Sequence, residues 1–559
     1  MVRFVFIIIV GIFTYSSASS QTNCHIVGEG TKDLINIQLP ALCLSDSCKS
    51  ELLLIQDKLH SKGFLEASYK YEEVTDTSCV IVFHQGPLYT IGNFNYKNLP
   101  EELIKILKSK LVKGQIFNQA KLEESFKECL EWSKNRGYHL TTIFLDSIKL
   151  NGSVVTGTFI YKAGFPIITD SLHFHRIKKN SPSWLKGYIG WKKGLTFTPA
   201  LKNQFLQRLY RTGYYTEANI INETIYGNHV DVELEMIDRM SDRFEGILGY
   251  SGMENQRYLV GQTDIFLSNL FSSGIETEIF WQKLKPQSSK MDAHIKWLGA
   301  FNFPLEFEVG IKLLKEDTLF FNKSSNLIAT FLKGSNTYLS LLVEFNSGSM
   351  LYALRVDPIS EFQPGDFSID YYGFQVGNKR FAKDQVKREW IVKFSMGNKI
   401  YEDLNQPFQS TNELIQWKGT GNIVNNFEIK KNWVISTGVN IGVIKSNYLF
   451  YNDLFMIGGL KSFRGFNENQ FFTSQYYISQ LELRYNLISG GYFLYFIDGG
   501  IMKSIEGPNN FFSAMGTGSG IVMPVKQGIF QLIFALGYRQ SEKSSLRDSK
   551  IHFGYVIKF

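Results

Sequence analysis

The spacing of hydrophobic residues divides the chain into two parts near residue 243. Before that point, stretches with an apolar residue every three to four positions alternate with stretches of period two, which predicts helices between strands. After it the helical spacing disappears, and alternating runs recur roughly every 20 residues to the end of the chain. We therefore predict small α+β units followed by an all-β unit.

A repeat is visible in the first part. Three helical stretches end in a similar phrase, Lys62-Gly63-Phe64, Arg136-Gly137-Tyr138 and Thr212-Gly213-Tyr214, and the glycines are 74 and 76 positions apart. Glycine in this place is typical of the left-handed residue that ends a helix. Two alternating runs follow each ending, for example 68–74 with 79–84 and 217–224 with 229–237.

The second and third repeats share a further phrase, KGQIF at 113–117 and KGLTF at 193–197. Helices are predicted after these phrases at 119–136 and 199–211, and strands that open the two repeats are predicted at 89–96 and 167–175. The order is strand, helix, helix, strand, strand, which predicts a small sheet under two helices. The charged stretch 101–113 is interpreted as a helix with a solvated face.

This repeat resembles the polypeptide-transport-associated (POTRA) module, and the phrase GPLYTIG at 86–92 resembles the start of that family's sheet. The resemblance implies a shortened, cysteine-bearing module at 21–87 and full modules at 88–163 and 164–240. We expect the strands at 79–84 and 229–237 to offer free edges to an extended client.

The region 241–559 predicts a transmembrane antiparallel β-barrel of about 16 strands. Its alternation is clearest at the end, where apolar or aromatic residues occupy every second position from Ile551 to Phe559, and polar or small residues lie between them. A soluble β-sandwich also has one-sided strands, but the terminal aromatic residue and the strand number favour the barrel. Closure is expected to pair 244–252 with 550–559.

Composition agrees with strands rather than membrane helices. Aromatic residues make up 15% of the chain, and beyond the first fifteen positions no apolar run approaches the ~20 residues of a helical span. The net charge of +7 over 559 residues gives no reason to expect nucleic acid as a partner. No nucleophile, metal-ligand or phosphate-loop motif occurs, so we expect neither an enzyme nor a cofactor or metal.

Residues 1–20 predict a secretory signal peptide, since the apolar stretch 4–13 follows Arg3 and small residues precede Gln21. All five cysteines lie in the first 129 positions. In an exported protein we expect at least one disulfide among Cys24, Cys43, Cys48 and Cys79, with the pairing left open. Cys129 lies in a helical pattern and is expected to be a buried apolar residue.

A predicted loop between strands near 432–446 and 474–488 contains the phrase GGLKSFRGF at 458–466. This phrase strongly resembles the inward-folded loop motif of the BamA/TamA-type superfamily of outer-membrane POTRA-plus-barrel proteins, the bacterial surface antigen type. The motif residues are Gly458, Gly459, Ser462, Arg464, Gly465 and Phe466. The later strand motif of the superfamily resembles FIDGG at 496–500, and its C-terminal assembly signal matches His552, Gly554, Ile557 and Phe559.

An arginine on a loop inside a barrel needs a carboxylate partner, because an unpaired charge there is costly. The family pattern implies Asp498, and Glu482 on the inward phase of a neighbouring strand is the second candidate. We hypothesise that Arg464 pins the loop through these carboxylates. The alternative is an arginine that points outward into water.

Two further patterns have plainer interpretations. Gly516, Gly518 and Gly520 lack the helix of a nucleotide-binding loop and predict a bare strand face that suits close approach of another backbone, such as the inserted loop. His173 and His175 share a strand face, but no third ligand occurs at a recognisable spacing, so we interpret them as surface residues.

The resemblance implies an outer-membrane protein, with its modules in the periplasm, that assists insertion, assembly or translocation of other proteins. Its expected partners are outer-membrane lipid, unfolded outer-membrane or secreted clients, and accessory periplasmic or lipoprotein subunits. We expect clients to pair with module edges and to leave through a lateral seam between the first and last barrel strands. Two alternatives stay open, a two-partner secretion pore for one secreted protein and a passive structural surface barrel.

Overall fold

The computed structural model describes residues 23–29, 46–74, 78–177, 180–239, 241–253, 256–283, 285, 287–351, 363–382, 385–401, 412–488, 490–504, 510–525, 528–540 and 549–558. The predicted signal peptide at 1–20 lies outside these residues. The chain divides after Pro166 into two compact units.

The first unit contains two small sheets with helices. Its helices are α1 (Asp46–Ser61), α2 (Glu101–Lys110) and α3 (Gln119–Lys134), and its strands are β1 (Asn23–Glu29), β2 (Ser68–Val74), β3 (Ser78–His84), β4 (Thr90–Lys97), β5 (Thr142–Asn151) and β6 (Val154–Lys162). The sheet orders are β1-β3-β2 and β4-β6-β5. The second module buries Leu103 and Leu107 of α2 against its sheet, so only the other face of this charged helix is solvated.

The second unit begins with a third module of the same design. It consists of β7 (Ile168–His175), α4 (Pro182–Ile189), α5 (Pro199–Thr212), β8 (Tyr215–Tyr226) and β9 (His229–Asp238), with the sheet order β7-β9-β8. Helix α5 starts where the Thr198 side chain accepts a hydrogen bond from the Leu201 amide. It ends at Gly213, whose φ of 74° gives the left-handed conformation that the sequence predicts.

The expected client edges at 79–84 and 229–237 are wrong. Strands β3 and β9 occupy the centres of their sheets, because each pairs in parallel with the first strand of its module and antiparallel with the strand before it. The alternation in the sequence identifies a strand but does not determine its neighbours. The outer strands of the described modules are β1, β2, β4, β5, β7 and β8.

The repeated KGQIF and KGLTF phrases cover part of two outer edges. The Ile91 amide donates to the Gln115 carbonyl at 2.8 Å, and the Thr169 amide donates to the Leu195 carbonyl at 2.9 Å. The same two strand residues also accept hydrogen bonds from the phrases, since the Gly114 amide donates to the Ile91 carbonyl and the Gly194 amide donates to the Thr169 carbonyl. These phrases therefore occupy hydrogen-bonding groups on β4 and β7.

The remainder of the second unit forms a closed barrel of sixteen described strands. They are β10 (Arg243–Met253), β11 (Gln256–Leu270), β12 (Ile275–Lys283), β13 (Ser289–Leu298), β14 (Leu305–Glu316), β15 (Phe320–Lys333), β16 (Thr337–Met350), β17 (Phe367–Ala382), β18 (Gln385–Tyr401), β19 (Asn412–Lys430), β20 (Trp433–Lys445), β23 (Gln475–Asn486), β24 (Tyr492–Lys503), β25 (Phe511–Val525), β26 (Gly528–Arg539) and β27 (Lys550–Lys558). The short strands β21 (Phe455–Ile457) and β22 (Phe471–Thr473) pair with each other inside the connection 446–474, which we call the inward loop.

The barrel strands alternate as the sequence predicts. In β24 the side chains of Phe493, Tyr495 and Ile497 are exposed on the outside, while Phe496 and Asp498 are buried inside. Among the described residues, no helix is long and apolar enough to cross a membrane. We call the end of the barrel next to the third module the module rim and the opposite end the loop rim.

Candidate functional site: the inward loop and the barrel seam

Arg464 of the inward loop lies against both carboxylates that the sequence identifies. Its Nε donates to Asp498 Oδ2 at 2.8 Å and its Nη2 donates to Asp498 Oδ1 at 2.6 Å. Its Nη1 donates to Glu482, whose other oxygen accepts a hydrogen bond from Arg484 Nε at 2.5 Å. Arg464 is only 9% exposed and Asp498 is fully buried, so the forked pair is shielded from solvent.

The ring of Phe496 completes this pair. It lies under the guanidinium of Arg464, with 3.8 Å between Cζ and the ring centroid. The backbone amide of Arg464 also donates to Asp498 Oδ2 at 3.2 Å. One aspartate therefore fixes both the main chain and the side chain of the loop tip, and an aromatic face adds a cation–π contact.

The rest of the motif shapes the loop around this arginine. The Ser462 hydroxyl bonds both backbone groups of Gly458, and the φ angles of Gly458, Gly459 and Gly465 are all positive. Phe466 packs in a buried cluster with neighbouring loop and wall residues. Glycines permit the backbone turns, and the aromatic residues anchor the loop to the barrel wall.

Glycines on the wall receive the loop backbone. A Cβ on Gly516 would lie 1.9 Å from the Arg464 carbonyl oxygen, and a Cβ on Gly537 would lie 2.5 Å from the Gly465 carbonyl oxygen. Gly518 and Gly520 instead adjoin the carbonyl groups of Phe534 and Leu532 on the next strand. The bare face predicted at 516–520 thus meets the loop at Gly516, and the sequence did not indicate Gly537.

The seam between β10 and β27 is short. It consists of three register pairs, Arg243 with Lys558, Phe244 with Ile557 and Glu245 with Val556. The pairing predicted between 244–252 and 550–559 is therefore wrong over most of its length. Strand β10 continues to Met253, paired with β11, and β27 begins at Lys550, paired with β26. Each of the two strands is therefore paired along almost its whole length on one side and over only three residues on the other.

Three residues of the predicted assembly signal lie on the last strand, β27. His552 and Gly554 line a lumenal cavity of about 920 Å³ that also contacts the inward loop, and Ile557 takes part in the seam pairing. Phe559 lies outside the described residues.

The cysteine predictions fall largely outside the described side chains. The backbone register places Cys24 opposite Cys79 in the β1–β3 pair, but the side chains of Cys24, Cys48 and Cys79 and the whole of Cys43 lie outside the description. The disulfide stays a prediction. Cys129 is a buried free cysteine, as expected.

The two histidines that we interpret as surface residues, His173 and His175, lie on β7 and are exposed. His175 Nε2 lies 2.9 Å from Glu233 Oε2 on an exposed part of the third module. In the part of the chain that the structure describes, no group of three or more His, Cys, Asp or Glu residues is placed to hold a metal ion.

A buried ion network joins the third module to the module rim, and we call it the module latch. Glu306 of β14 accepts hydrogen bonds from Arg211 Nε and Tyr188 Oη, both at 2.9 Å, and lies 3.1 Å from Lys296 Nζ. Burial alone lowers the pKa of Arg211, but the facing charge of Glu306 more than offsets this and raises the pKa above its ordinary value. Arg211 therefore stays charged although its side chain is only 14% exposed.

The helices of the third module also fit the barrel turns closely. Trp184 Nε1 donates to the Leu298 carbonyl at 2.9 Å, and Gln207 exchanges two hydrogen bonds with the backbone of Phe381. A Cβ on Gly187 would lie 2.3 Å from the Asn302 carbonyl oxygen. The module is thus docked on turns that belong to β11 through β18. Sequence reasoning missed the latch, because none of its residues stands in a motif.

Comparison with known proteins gives similarity at the level of fold. No protein-family model matches the chain, and no curated protein matches it. CdiB from Escherichia coli is 12% identical, with a TM-score of 0.55 over 91% of this chain and 97% of that chain. CdiB from Acinetobacter baumannii is 12% identical, with a TM-score of 0.53 over 85% and 90%.

BamA from Haemophilus ducreyi lacking POTRA domains 1-3 aligns with 84% of this chain and 99% of that chain, at 14% identity and a TM-score of 0.40. The likeness to the two CdiB structures is one of fold, and it covers most of this chain and of both of those chains. Together with the element order of the modules and the barrel, this likeness gives the chain a POTRA-plus-barrel fold.

Proposed function

We propose that this protein resides in the bacterial outer membrane, with its modules in the periplasm, and assists the insertion and assembly of other outer-membrane proteins. In this orientation the module rim is periplasmic and the loop rim is extracellular. The proposed activity needs no cofactor and no bond-breaking step, since it consists of ordering client strands in lipid. Clients, lipid and accessory subunits are its proposed partners.

The observation that supports this function most strongly is the three-pair seam. Every unpaired backbone group in lipid costs several kcal/mol, so a barrel normally closes along the full length of its strands. In the closed barrel, most backbone groups on the facing edges of β10 and β27 already lack a partner across the seam. Complete separation of these two strands therefore breaks only the few hydrogen bonds of the three register pairs. A client strand that pairs with the free edge would satisfy the exposed groups.

Strand β10 suits a role as the template edge. It contains Gly246, Gly249 and Gly252, and glycine inside a strand suits the close approach of another backbone. Its other side is paired with β11 over its whole length. A client can therefore displace β27 without detaching β10 from the barrel.

The modules offer edges that fit the capture of an extended client. Strands β5 and β8 lie at sheet edges, opposite the edges of β4 and β7 that the KGQIF and KGLTF phrases partly cover. Ile148 of β5 and Ile221 of β8 are exposed beside these edges. Backbone pairing would supply affinity with little dependence on client sequence, and exposed apolar side chains would add contact area.

Depletion of the protein followed by a quantitative census of outer-membrane proteins tests the proposal. Assembly predicts loss of several unrelated barrel proteins, with recovery when the wild-type chain is restored. Loss of one secreted protein with an otherwise normal membrane would favour the two-partner secretion pore. An unchanged census with unchanged secretion would favour the passive surface barrel, and either result would contradict the proposal.

A further inference from the structure

The inward loop has a second set of contacts, far from Arg464. The Asn452 side chain exchanges hydrogen bonds with the backbone of Gly365, donating to its carbonyl and accepting from its amide, both at 3.0 Å. It also donates to Asn322 Oδ1 at 3.2 Å, and the Asn452 carbonyl accepts from Asn322 Nδ2 at 2.6 Å. Asn452 is therefore fixed through its side chain and its main chain.

The next residue carries a buried charge pair. Asp453 Oδ2 lies 2.5 Å from Lys399 Nζ, and Asp453 Oδ1 accepts a hydrogen bond from Gln416 Nε2 at 2.8 Å. Lys399 is fully buried, and the loop residue Phe450 places its ring 4.6 Å from the ammonium group. A lysine buried to this degree requires a partner, and the loop supplies both the carboxylate and the aromatic face.

These contacts lie on a different wall and at a different depth from those of Arg464. Asn322, Lys399 and Gln416 belong to β15, β18 and β19, whereas Glu482 and Asp498 belong to β23 and β24. Lys399 stands near the end of β18 at the loop rim, and Asp498 stands near the middle of β24. The loop is therefore held once at the rim and once inside the lumen.

Two further contacts of the inward loop involve aromatic rings. Tyr451 stacks on Phe472 with 4.0 Å between ring centroids, which joins the two stems of the inward loop. Lys461 reaches across to β12, where its Nζ lies 4.7 Å from the ring centroid of Phe280. The loop thus contacts walls on several sides of the barrel.

We propose that Asn452 and Asp453 form a second anchor of the inward loop, built with Asn322, Lys399 and Gln416, which keeps the extracellular mouth of the barrel closed while clients leave through the seam. The inference deepens the proposed function and rests on it for the route of the client. The closed mouth itself does not depend on any client. Its residues are positioning residues, since they act by holding the loop.

Ion conductance of the full-length protein in planar lipid bilayers, without a client, tests the anchor. Asp453→Ala removes the partner of Lys399 and is expected to raise the mean conductance severalfold, with frequent openings. Asn452→Ala leaves no buried charge unpaired and is expected to raise it in the same direction, so the test survives if Asp453→Ala fails to fold. Conductance at the wild-type level in Asn452→Ala would overturn the proposal.

Glu344→Ala is the matched control. Glu344 is also a buried lumenal carboxylate paired with a lysine, but its partner Lys393 belongs to the barrel wall and not to the loop. We expect this variant to keep the wild-type conductance. A rise equal to that of Asn452→Ala would show that any lumenal change opens the barrel, and would overturn the specific role of the anchor.

A disulfide that fixes the inward loop to the barrel wall tests whether clients leave through the seam. In Asn322→Cys/Asn452→Cys, oxidation would hold the loop at the rim, and an unfolded bacterial outer-membrane barrel protein added to proteoliposomes serves as the probe. We expect equal client insertion in the oxidised and reduced states. Loss of insertion on oxidation alone would overturn the closed-mouth route. Failure of the assembly proposal would appear as no insertion in the wild-type protein, with the conductance results unaffected.

Discussion

At the scale of single residues, Arg464 shows what a motif can reveal and what it cannot. The phrase around it indicated a loop folded into the barrel, and the inward phase of Asp498 and Glu482 identified both carboxylates. Arg484 and Phe496 complete the site, and each lies two positions from one of these carboxylates on the same strand face. The sequence thus contained both residues, Phe496 within the FIDGG motif and Arg484 on the inward phase of its strand, but the contact of each with Arg464 or its partner became visible only once the loop was placed inside the barrel.

Charge reversal at this position tests the pinning role. Arg464→Glu would place a third carboxylate beside Asp498 and Glu482, and breaking a buried pair in this way costs about 3 to 5 kcal/mol. We expect loss of folded barrel, measured by heat-modifiable gel mobility of membrane fractions, and loss of client assembly. Arg388→Glu, at an exposed position on β18, is the control and should leave both unchanged. Normal folding and activity in Arg464→Glu would contradict the pinning role.

Cys129 gives a second test at this scale. Burial raises the pKa of its thiol to about 11, and the thiolate is the reactive form. We expect no alkylation of Cys129 by N-ethylmaleimide in the native protein at pH 8, and full alkylation after unfolding in denaturant. Peptide mass mapping measures this directly. Rapid labelling of the native protein would contradict the buried position in α3.

At the scale of elements, the sequence predicted the helices and strands of the modules better than their neighbours. The order strand, helix, helix, strand, strand is present in both full modules, and Gly63, Gly137 and Gly213 all have positive φ. Strands β3 and β9, however, are central rather than free. Hydrophobic alternation reports burial of one face, and it carries no information about which edge a neighbouring strand occupies.

Site-specific photocrosslinking tests the corrected edge. A photoreactive phenylalanine analogue in place of Ile221, exposed on β8, should form adducts with unfolded outer-membrane proteins during assembly. The same analogue in place of Asn203, exposed on α5 of the same module, is the control and should form few. Equal crosslinking at the two positions would mean that clients do not select the strand edge.

The docking of α4 on the barrel gives another prediction for this scale. In an ordinary helix, Gly→Ala gains about 1 kcal/mol, yet a Cβ at Gly187 would lie 2.3 Å from the Asn302 carbonyl oxygen. Gly187→Ala should therefore separate the module from the rim and increase tryptic cleavage after Arg239, measured as a cleavage rate. Lys186→Ala on the same helix is the control. An unchanged rate in Gly187→Ala would show that the close fit does not hold the module.

At the scale of the whole molecule, the change from mixed to purely alternating patterns near residue 243 coincides with the start of the barrel at Arg243. The expected number of about sixteen strands is confirmed for the described residues. The module latch and the second loop anchor were not predictable, because each depends on a pair that is distant in sequence. Arg211 and Glu306 are 95 positions apart, and Lys399 and Asp453 are 54 positions apart. The shortness of the seam was equally invisible, since hydrophobic alternation does not report how far two distant strands pair.

The lateral seam is the central claim, and a reversible lock tests it most directly. Phe244→Cys/Ile557→Cys joins two register partners of the seam, while Ile265→Cys/Ile279→Cys joins register partners of the ordinary β11–β12 pair and serves as the control. Client assembly would be measured for each pair under oxidation and again after reduction. We predict that oxidation of the seam pair alone abolishes assembly and that reduction restores it. Full assembly by the oxidised seam pair would contradict the account.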